Sequence, residues 1–490
     1  MYKTKNAAFH QRPFTRENRQ VICALYLFQK LNWAKSSKKY TGEDITKYMK
    51  KLFLQTFGCQ MNERDSEGVQ GLLLGRGYEE TPFIEEANLV LYNTCSVRDH
   101  AEQKIFGRIG EFRKLKERNP ELIVGIIGCM AQQYGKKLLN KNSEIDFVCG
   151  PGNLDQIPEL VEGAQRSRLG TTHGAALLAI DRLNGEYSLE DVHYHSGNLK
   201  ALVNIMTGCD HRCTYCIVPF TRGRERSRSS ENILNEMSQI QERGFKDVML
   251  LGQNVNGYGK GLAETVDFVE LLKRIQERTP AIPRLRFITS HPKDAHTRLF
   301  GAMRDLPMVC EHLHLPVQAG ANRTLKRMKR EHTRQWYLEQ IGEYRALVPG
   351  GTLTTDFIVG FPGETEKDFL ETLELAQKVE FDSAFIFQYS PRPGTPSLKL
   401  GDDVPADEKH RRHQALLAAQ KAASLKRNQA LIGESVEVLF ESKTKRDENR
   451  FVGRTRGYKR VVAGADRDII GEFLPVKISA VADETLLGEL

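Results

Sequence analysis

Three cysteines, Cys209, Cys213 and Cys216, fall within eight residues of this chain. The chain has nine cysteines, and the other six are scattered, a pattern that indicates metal ligands in a reducing compartment and not a disulfide framework. Three thiolates are one short of the four that usually hold an iron–sulfur cluster, so one iron would be open to a ligand. An open metal position is where chemistry takes place. A zinc knuckle is the alternative, but no fourth Cys or His follows at finger spacing.

A second set of cysteines, Cys59, Cys95 and Cys129, comes at the ends of three apolar runs. The runs are predicted strands, and helical stretches over 64–76 and 99–118 separate them. Alternating strands and helices predict a parallel sheet with helices on its faces. Loops at the carboxyl ends of such strands face one crevice, so we expect the three thiols to converge. Burial as ordinary core cysteines is the alternative.

The alternation of strands and helices resumes between 199 and about 392. Strands are predicted over 202–208, 248–253, 285–290, 312–318, 352–359 and 383–389. Helices are predicted near 230–243, 266–278, 293–304, 334–347 and 366–379. Six repeats are too few for a closed eight-stranded barrel, and the cluster loop follows the first strand, which places the site at the carboxyl ends of the strands.

After a predicted helix over 407–428, the hydrophobic period changes to two. Short strands with turns predict a small β-barrel at the end of the chain. Its central part, 441–461, holds eight Lys or Arg and three acidic residues. Such a local basic surface indicates RNA binding, which typically adds stacked aromatic side chains, and Phe451 and Tyr458 are available.

The first three cysteines, with Tyr215 just before the last, resemble the signature of the radical S-adenosylmethionine (SAM) enzymes. Around the second set, 56–62, 93–98 and 128–132 resemble the amino-terminal domain of the methylthiotransferases of that superfamily. Further stretches resemble the branch of this family that modifies tRNA: 217–228, 251–256, 290–292, 314–318 and 360–365. The resemblance covers roughly residues 51–490, and Cys149, which ends a similar apolar run, is not part of the family pattern. We therefore interpret Cys149 as structural.

The resemblance implies two [4Fe-4S] clusters, a SAM-binding cluster on Cys209, Cys213 and Cys216 and an auxiliary cluster on Cys59, Cys95 and Cys129. It also implies that SAM serves both as methyl donor and as radical source, and that C2 of N6-isopentenyladenosine 37 in tRNA becomes methylthiolated. An aromatic C–H bond offers neither an acidic proton nor a leaving group, so a radical from a cofactor is required. The two clusters must then face each other across a domain interface.

The resemblance implies an α/β fold of three domains. They are an amino-terminal doubly wound parallel α/β domain over 49–163, a central radical SAM (β/α)6 partial barrel over 199–427 and a TRAM-like β-barrel over 428–490. Residues 164–198 are predicted to be a linker. Residues 1–48 are predicted to be a basic, disordered extension, with a transit peptide or a true translation start at Met49 as alternatives.

The net charge of +8 belongs to the amino-terminal extension, because 1–42 carries nine Lys or Arg and one Glu. Only local basic patches can therefore indicate RNA. The candidates for RNA contact are Arg222, Arg224, Arg226, Arg228, Lys443, Lys445, Arg446, Arg454 and Arg456. The candidates for SAM contact are Tyr215, Gln253 and Gln318, each of which could instead be a polar group at the barrel rim.

We expect a cytoplasmic, monomeric enzyme that binds the tRNA anticodon stem-loop and receives electrons from a donor such as flavodoxin or ferredoxin. No run of 18 apolar residues predicts a membrane span. Two alternatives remain open. One is the same chemistry on threonylcarbamoyladenosine in tRNA or on an aspartate of ribosomal protein S12. The other is an iron–sulfur RNA-binding protein without catalysis.

Overall fold

The computed structural model describes residues 50–96, 99–168, 176–184 and 188–490. The predicted extension over 1–48 and the alternative start at Met49 lie outside the described residues. Among the described helices, none is both long and apolar enough to cross a membrane.

The amino-terminal domain is a sheet of six parallel strands in the order β2-β1-β3-β4-β5-β6. The strands are β1 Lys50–Phe57, β2 Tyr78–Glu80, β3 Leu89–Thr94, β4 Ile123–Ile127, β5 Phe147–Cys149 and β6 Leu177–Ala179. The helices are α1 Gln60–Leu74, α2 Asp99–Arg118, α3 Cys129–Tyr134, α4 Lys136–Lys141 and α5 Ile157–Arg168.

Helices cover both faces of this sheet. Val69 of α1 and Val161 of α5 lie in one hydrophobic core, and Phe112 of α2 and Leu138 of α4 lie in the other. Strands buried on both faces have continuous apolar sequences, as β4 has. The predicted doubly wound parallel fold is confirmed.

Part of the predicted linker over 164–198 belongs to the amino-terminal domain instead. Helix α5 continues to Arg168, and β6 pairs in parallel with β5. The prediction of a linker is wrong for these elements, because a strand of three residues is too short to show a hydrophobic period.

The central domain has six parallel strands in two sheets, β11-β10-β7 and β12-β13-β14. A parallel bridge between Leu285 and Val309 and contacts of β11 with β12 join the sheets. The strands are β7 Lys200–Asn204, β10 Asp247–Leu251, β11 Arg284–Ile288, β12 His312–His314, β13 Thr352–Val359 and β14 Ser383–Gln388. A short pair, β8 Met206–Thr207 and β9 Arg226–Ser227, flanks the cluster loop.

The central helices are α6 Val218–Thr221, α7 Ser230–Glu242, α8 Phe268–Arg278, α9 Thr297–Asp305, α10 Asn322–Arg327, α11 Arg334–Leu347, α12 Glu366–Val379 and α13 Ala406–Gln429. The predicted open (β/α)6 partial barrel is confirmed. Strand β7 lies at the edge of its sheet, and α1 of the amino-terminal domain contacts it. The amino-terminal domain therefore packs at the open side of the partial barrel.

The carboxyl-terminal domain is a closed barrel in the order β15-β16-β17-β19-β18, as predicted. Its strands are β15 Ser435–Lys443, β16 Arg450–Thr455, β17 Arg460–Gly464, β18 Phe473–Ala482 and β19 Thr485–Glu489. Two buried arginines of β11 attach it to the core: Arg284 donates to the carbonyl of Arg454 at 2.7 Å and Arg286 to that of Thr455 at 2.9 Å. These contacts fix the barrel at the amino-terminal ends of the core strands.

Candidate metal centres and RNA surface

Cys59, Cys95 and Cys129 follow β1, β3 and β4 directly, at the carboxyl edge of the amino-terminal sheet. The strand order reverses between β1 and β3, and ligands of doubly wound sheets bind at such a switch point. The Cys95 thiol donates a hydrogen bond to Cys59 and lowers the pKa of Cys59 to about 6. These positions place the predicted auxiliary trio at one edge of the sheet, and its role as cluster ligands stays a prediction.

Glycines give the backbone room to bring these thiols close. Gly128, with φ of 91°, immediately precedes Cys129, and a Cβ there would lie 2.2 Å from Asn93 Oδ1. A Cβ at Gly58 would lie 2.5 Å from Cys95 Cβ. Because neither position carries a side chain, the loops can approach each other closely enough to carry three thiols at one edge of the sheet.

An asparagine pair, which the sequence argument did not identify as functional, orients Cys59. Its Sγ lies 3.2 Å from Asn62 Oδ1, and Asn62 Nδ2 donates to Asn93 Oδ1 at 2.7 Å. Asn93 Nδ2 donates in turn to the Asn62 carbonyl at 2.8 Å. Asn62 follows Cys59 by one helical turn, and this spacing is the signal by which the sequence could have revealed it.

The thiol of Cys149 hydrogen-bonds to the backbone of its own segment. It is fully buried on β5, and its Sγ donates to the Asn153 carbonyl at 3.2 Å. Burial raises the pKa of the Cys149 thiol, so the free thiolate is disfavoured there. These contacts agree with the interpretation of Cys149 as structural.

The loop of Cys209, Cys213 and Cys216 lies beyond β8, at the carboxyl end of the first core strand. Burial, together with the nearby Cys213, raises the pKa of both Cys209 and Cys216 to about 12. A bound metal cation would favour the thiolate forms of Cys209 and Cys216. This donor set fits the predicted cluster.

Arg330 is a further residue of this site that the sequence argument missed. Its Nη1 donates to Cys213 Sγ at 3.5 Å, and its Nη2 donates to the Pro316 carbonyl at 2.6 Å. Arg330 is 117 residues away in sequence, and nothing in its local sequence distinguishes it from a surface arginine.

His211, between the first two cysteines of the loop, connects the loop to the barrel. Its ring stacks on His291, with centroids 3.8 Å apart. Its Nε2 lies 3.2 Å from Asp294 Oδ2 and its Nδ1 lies 3.1 Å from Glu331 Oε2. The loop is therefore fixed at its centre by side chains of its own domain.

The three SAM candidates lie at the carboxyl ends of core strands. Tyr215 is within the cluster loop, and its ring meets Phe361 edge-on at 6.5 Å. Gln253 follows β10 and is half-buried, and Gln318, with φ of 73°, follows β12 and is buried. Their role in SAM binding stays a prediction.

The predicted RNA contacts of Arg222 and Arg228 are wrong, because their side chains are buried inside the protein. Arg222 and Arg228 are buried in ion pairs with Asp65 and Glu236. Arg456 is half-buried, and it binds Glu311 and the carbonyls of Pro307 and Val309, which attaches the barrel to the core; its role in RNA binding stays a prediction. Phe451 is buried in the barrel core and cannot stack on a base. Charge counts along a sequence cannot reveal such partners.

The remaining candidates differ in exposure. Arg224 is exposed and pairs with Asp210 at 2.6 Å. Arg226 is half-buried and lines a cavity of about 310 Å³ beside the cluster loop. Arg454 is half-buried over the ring of Tyr458. Lys443, Lys445 and Arg446 are exposed at the turn from β15 to β16.

A buried ion network joins the domains that carry the two cysteine sets. Glu236 of α7, fully buried, lies 3.0 Å from Arg64 of α1 and 2.7 Å from Arg228. His195 Nε2 lies 3.1 Å from the same carboxylate, and Arg64 also donates to the carbonyls of Val192 and Tyr194. Removal of one member leaves a buried charge unpaired, so the network favours one arrangement of the domains.

Comparison with known proteins assigns each domain. Residues 51–150 match the family described as uncharacterized protein family UPF0004, residues 203–376 match the radical SAM superfamily, and residues 429–490 match the TRAM domain. A solved structure of the radical S-adenosylmethionine methyltransferase TsrM from Kitasatospora setae, with cobalamin and a [4Fe-4S] cluster bound, superposes with a TM-score of 0.52 at 15% identity. The match covers 71% of this chain and 77% of that chain. This likeness concerns the fold alone.

Full-length relatives share much more sequence. The tRNA-2-methylthio-N(6)-dimethylallyladenosine synthase of Thermoanaerobacter sp. (strain X514) is 45% identical over 441 residues, which cover 89% of this chain and 92% of that protein. The protein of the same name from Acetivibrio thermocellus is 43% identical over 465 residues, which cover 94% of each chain.

Proposed function

Because the chain belongs to the tRNA methylthiotransferases of the radical SAM superfamily, we propose that it methylthiolates C2 of N6-isopentenyladenosine 37 in tRNA. The observation that carries this proposal is the presence of two separate three-thiol sites in neighbouring domains. One fits the SAM-binding [4Fe-4S] cluster implied by the superfamily. The other, on Cys59, Cys95 and Cys129, fits an auxiliary [4Fe-4S] cluster.

Cys209, Cys213 and Cys216 would hold a cluster that, when bound and reduced, would supply the electron for radical chemistry with SAM at an aromatic C–H bond. The residues of the chain hold and orient the groups around it. Cys209, Cys213 and Cys216 would ligate three irons, and Arg330 would offset their negative charge.

The same chemistry on threonylcarbamoyladenosine or on ribosomal protein S12 is not favoured, because the relatives with 43–45% identity are named for the dimethylallyladenosine reaction. A non-catalytic RNA-binding protein is not favoured either. It would need neither the open fourth position of the first thiol site nor the second thiol site beside it.

The test is anaerobic turnover of the reconstituted protein with SAM, a strong reductant and an isopentenylated anticodon stem-loop RNA. Nucleosides are then identified by mass spectrometry. We expect the 2-methylthio product and 5′-deoxyadenosine. If 5′-deoxyadenosine forms but the isopentenylated RNA stays unmodified, while a threonylcarbamoylated stem-loop is modified, the proposal would transfer to the sister substrate. Intact clusters with neither product would leave the non-catalytic alternative.

For RNA binding we propose the exposed turn between β15 and β16, with Lys443, Lys445 and Arg446 facing phosphates. The double substitution Lys445→Ala and Arg446→Ala should weaken stem-loop binding about tenfold. It should also reduce the slope of log Kd against the logarithm of the salt concentration by about one to two. Arg467→Ala is the control, because Glu472 already pairs with that charge in the same barrel. An unchanged salt dependence in the double variant would place the RNA elsewhere.

We further propose that the enzyme works as a cytoplasmic monomer and receives electrons from a donor such as flavodoxin or ferredoxin. The reduction of the first cluster requires an external one-electron donor. Sedimentation of the reconstituted protein, alone and with flavodoxin, tests both points.

A further inference from the structure

Arg222 connects the loop of one cysteine set to the site of the other. It directly follows α6 and lies six residues beyond Cys216. Its side chain crosses into the amino-terminal domain, where its Nη2 donates to Asp65 Oδ2 of α1 at 2.6 Å. Helix α6 also packs against α3, whose first residue is Cys129. One arginine thus touches both domains between the two sites.

One donor of the guanidinium, Nη1, makes no well-aligned hydrogen bond to a described residue, and the guanidinium approaches the Cys129 thiol. The side chain is 3% exposed, and its Nη1 is buried. Asp65, which holds the guanidinium, lies six residues beyond Cys59 on α1, and α6, which Arg222 follows, packs against the helix that begins at Cys129. The guanidinium therefore lies between elements that carry two of the thiols, and its charge opposes the rise in the pKa of Cys129 that burial causes. A buried arginine donor without a well-aligned partner, between elements that carry two of the thiols, is available to an added acceptor.

We propose that Arg222 is a positioning residue for the auxiliary cluster, to which its Nη1 donates a hydrogen bond at a thiolate or sulfide sulfur. The proposal rests on the proposed function, since it requires a cluster on Cys59, Cys95 and Cys129. Asp65 holds the other edge of the guanidinium and balances its charge. Because Arg222 follows the loop of the SAM-binding cluster by one short helix, it would keep the auxiliary cluster oriented toward that loop.

A positive charge and a hydrogen bond at sulfur both favour the reduced form of a cluster, which carries one more electron. Arg222 should therefore raise the reduction potential of the auxiliary cluster. A residue that only held the two domains together would affect stability and would leave this potential unchanged.

The test measures the midpoint potential of the auxiliary cluster by EPR-monitored redox titration. The background is the full chain with Cys209, Cys213 and Cys216 all replaced by Ala, so that the signal comes from one cluster. In Arg222→Gln we expect the ratio of reduced to oxidised cluster at a fixed potential to fall about tenfold. For a one-electron couple this is a midpoint about 59 mV lower. Arg222→Lys should lie between the two, and Asp65→Asn should shift the midpoint in the opposite direction.

The matched control is Arg286→Gln. Arg286 forms another buried arginine–aspartate pair, with Asp247 at 2.9 Å, but contacts the carboxyl-terminal barrel. This variant should lose stability and keep the midpoint.

Equal midpoints in the Arg222 variants and their parent would overturn the proposal, as would a shift of Asp65→Asn in the same direction as that of Arg222→Gln. Loss of iron in Arg222→Gln but not in Arg222→Lys would support it, since the charge would then hold the cluster. Loss of iron in both would overturn it. A parent without any cluster would instead refute the auxiliary cluster itself.

Discussion

The two cysteine sites offer the same number of thiols but are assembled in different ways. Cys209, Cys213 and Cys216 come from one loop, which His211 fixes within its own domain. The auxiliary trio comes from three loops whose cysteines are 36 and 34 residues apart in sequence. The first site needs a correctly folded loop, whereas the second needs a correctly assembled sheet.

The nearby charges differ in the same way. Arg330, beside Cys213, belongs to the same domain as its loop. Arg222, beside Cys59 and Cys129, comes from the neighbouring domain. The auxiliary site therefore depends on the domain interface, and the SAM-binding site does so much less. Variants that separate the two dependences test this comparison.

The largest expected effects come from single cysteines of each set. Cys213→Ala should abolish both SAM cleavage and RNA modification, because the radical source is lost. Cys95→Ala should abolish modification but keep 5′-deoxyadenosine formation. Iron content should fall by about half in each variant. Mass spectrometry of 5′-deoxyadenosine and of the modified nucleoside distinguishes the two variants. Loss of SAM cleavage in Cys95→Ala would show that the first site depends on the second.

Substitution of the interface carboxylate should affect the auxiliary site more than the SAM-binding site. Glu236→Gln leaves Arg64 and Arg228 without their buried partner, and we expect a loss of about 3 kcal/mol in the free energy of unfolding. Urea denaturation measures it. RNA modification should fall more than SAM cleavage. Glu366→Gln, at an exposed ion pair, is the control and should change stability by less than about 0.5 kcal/mol.

A single methyl group at Gly128 should damage the auxiliary site alone. Ala there is strained at φ of 91° and overlaps Asn93 Oδ1, so we expect a loss of about 2 kcal/mol and of the auxiliary iron. The SAM-binding cluster should remain, as its EPR signal would show. Gly342→Ala, in an open position of α11, should instead stabilise the protein slightly. Retention of full iron in Gly128→Ala would show that the auxiliary loops are not tightly determined.

The smallest expected effect is a pH dependence of the interface. Burial raises the pKa of Glu236, but Arg228, His195 and Arg64 outweigh it and hold the pKa well below its usual range. A lowered pKa contributes stability above the unfolded-state value of about 4.3, and that contribution is lost as pH falls further. The stability difference between the wild type and Glu236→Gln should therefore shrink below about pH 4.3. A constant difference down to pH 3 would contradict this assignment.

Sequence patterns were sufficient where neighbouring residues define the structure. The strands and helices of the core domain lie within a few residues of their predicted bounds, because each is long enough to show its period. The sequence patterns failed to predict β6, which is only three residues long. Sequence patterns also failed for Arg222 and Arg228, because an arginine in a basic stretch has the same local sequence whether it faces solvent or a buried carboxylate.

The sequence by itself determined the two sets of cysteines, the order of the three domains and the convergence of strand ends, since spacing and hydrophobic period are local properties. Only the tertiary structure decided which charges lie beside which thiols. Arg222 meets Asp65, and Arg330 meets Cys213, across 157 and 117 residues of chain. Such pairs form because burial of a charge requires a partner, and the fold alone determines which partner is within reach.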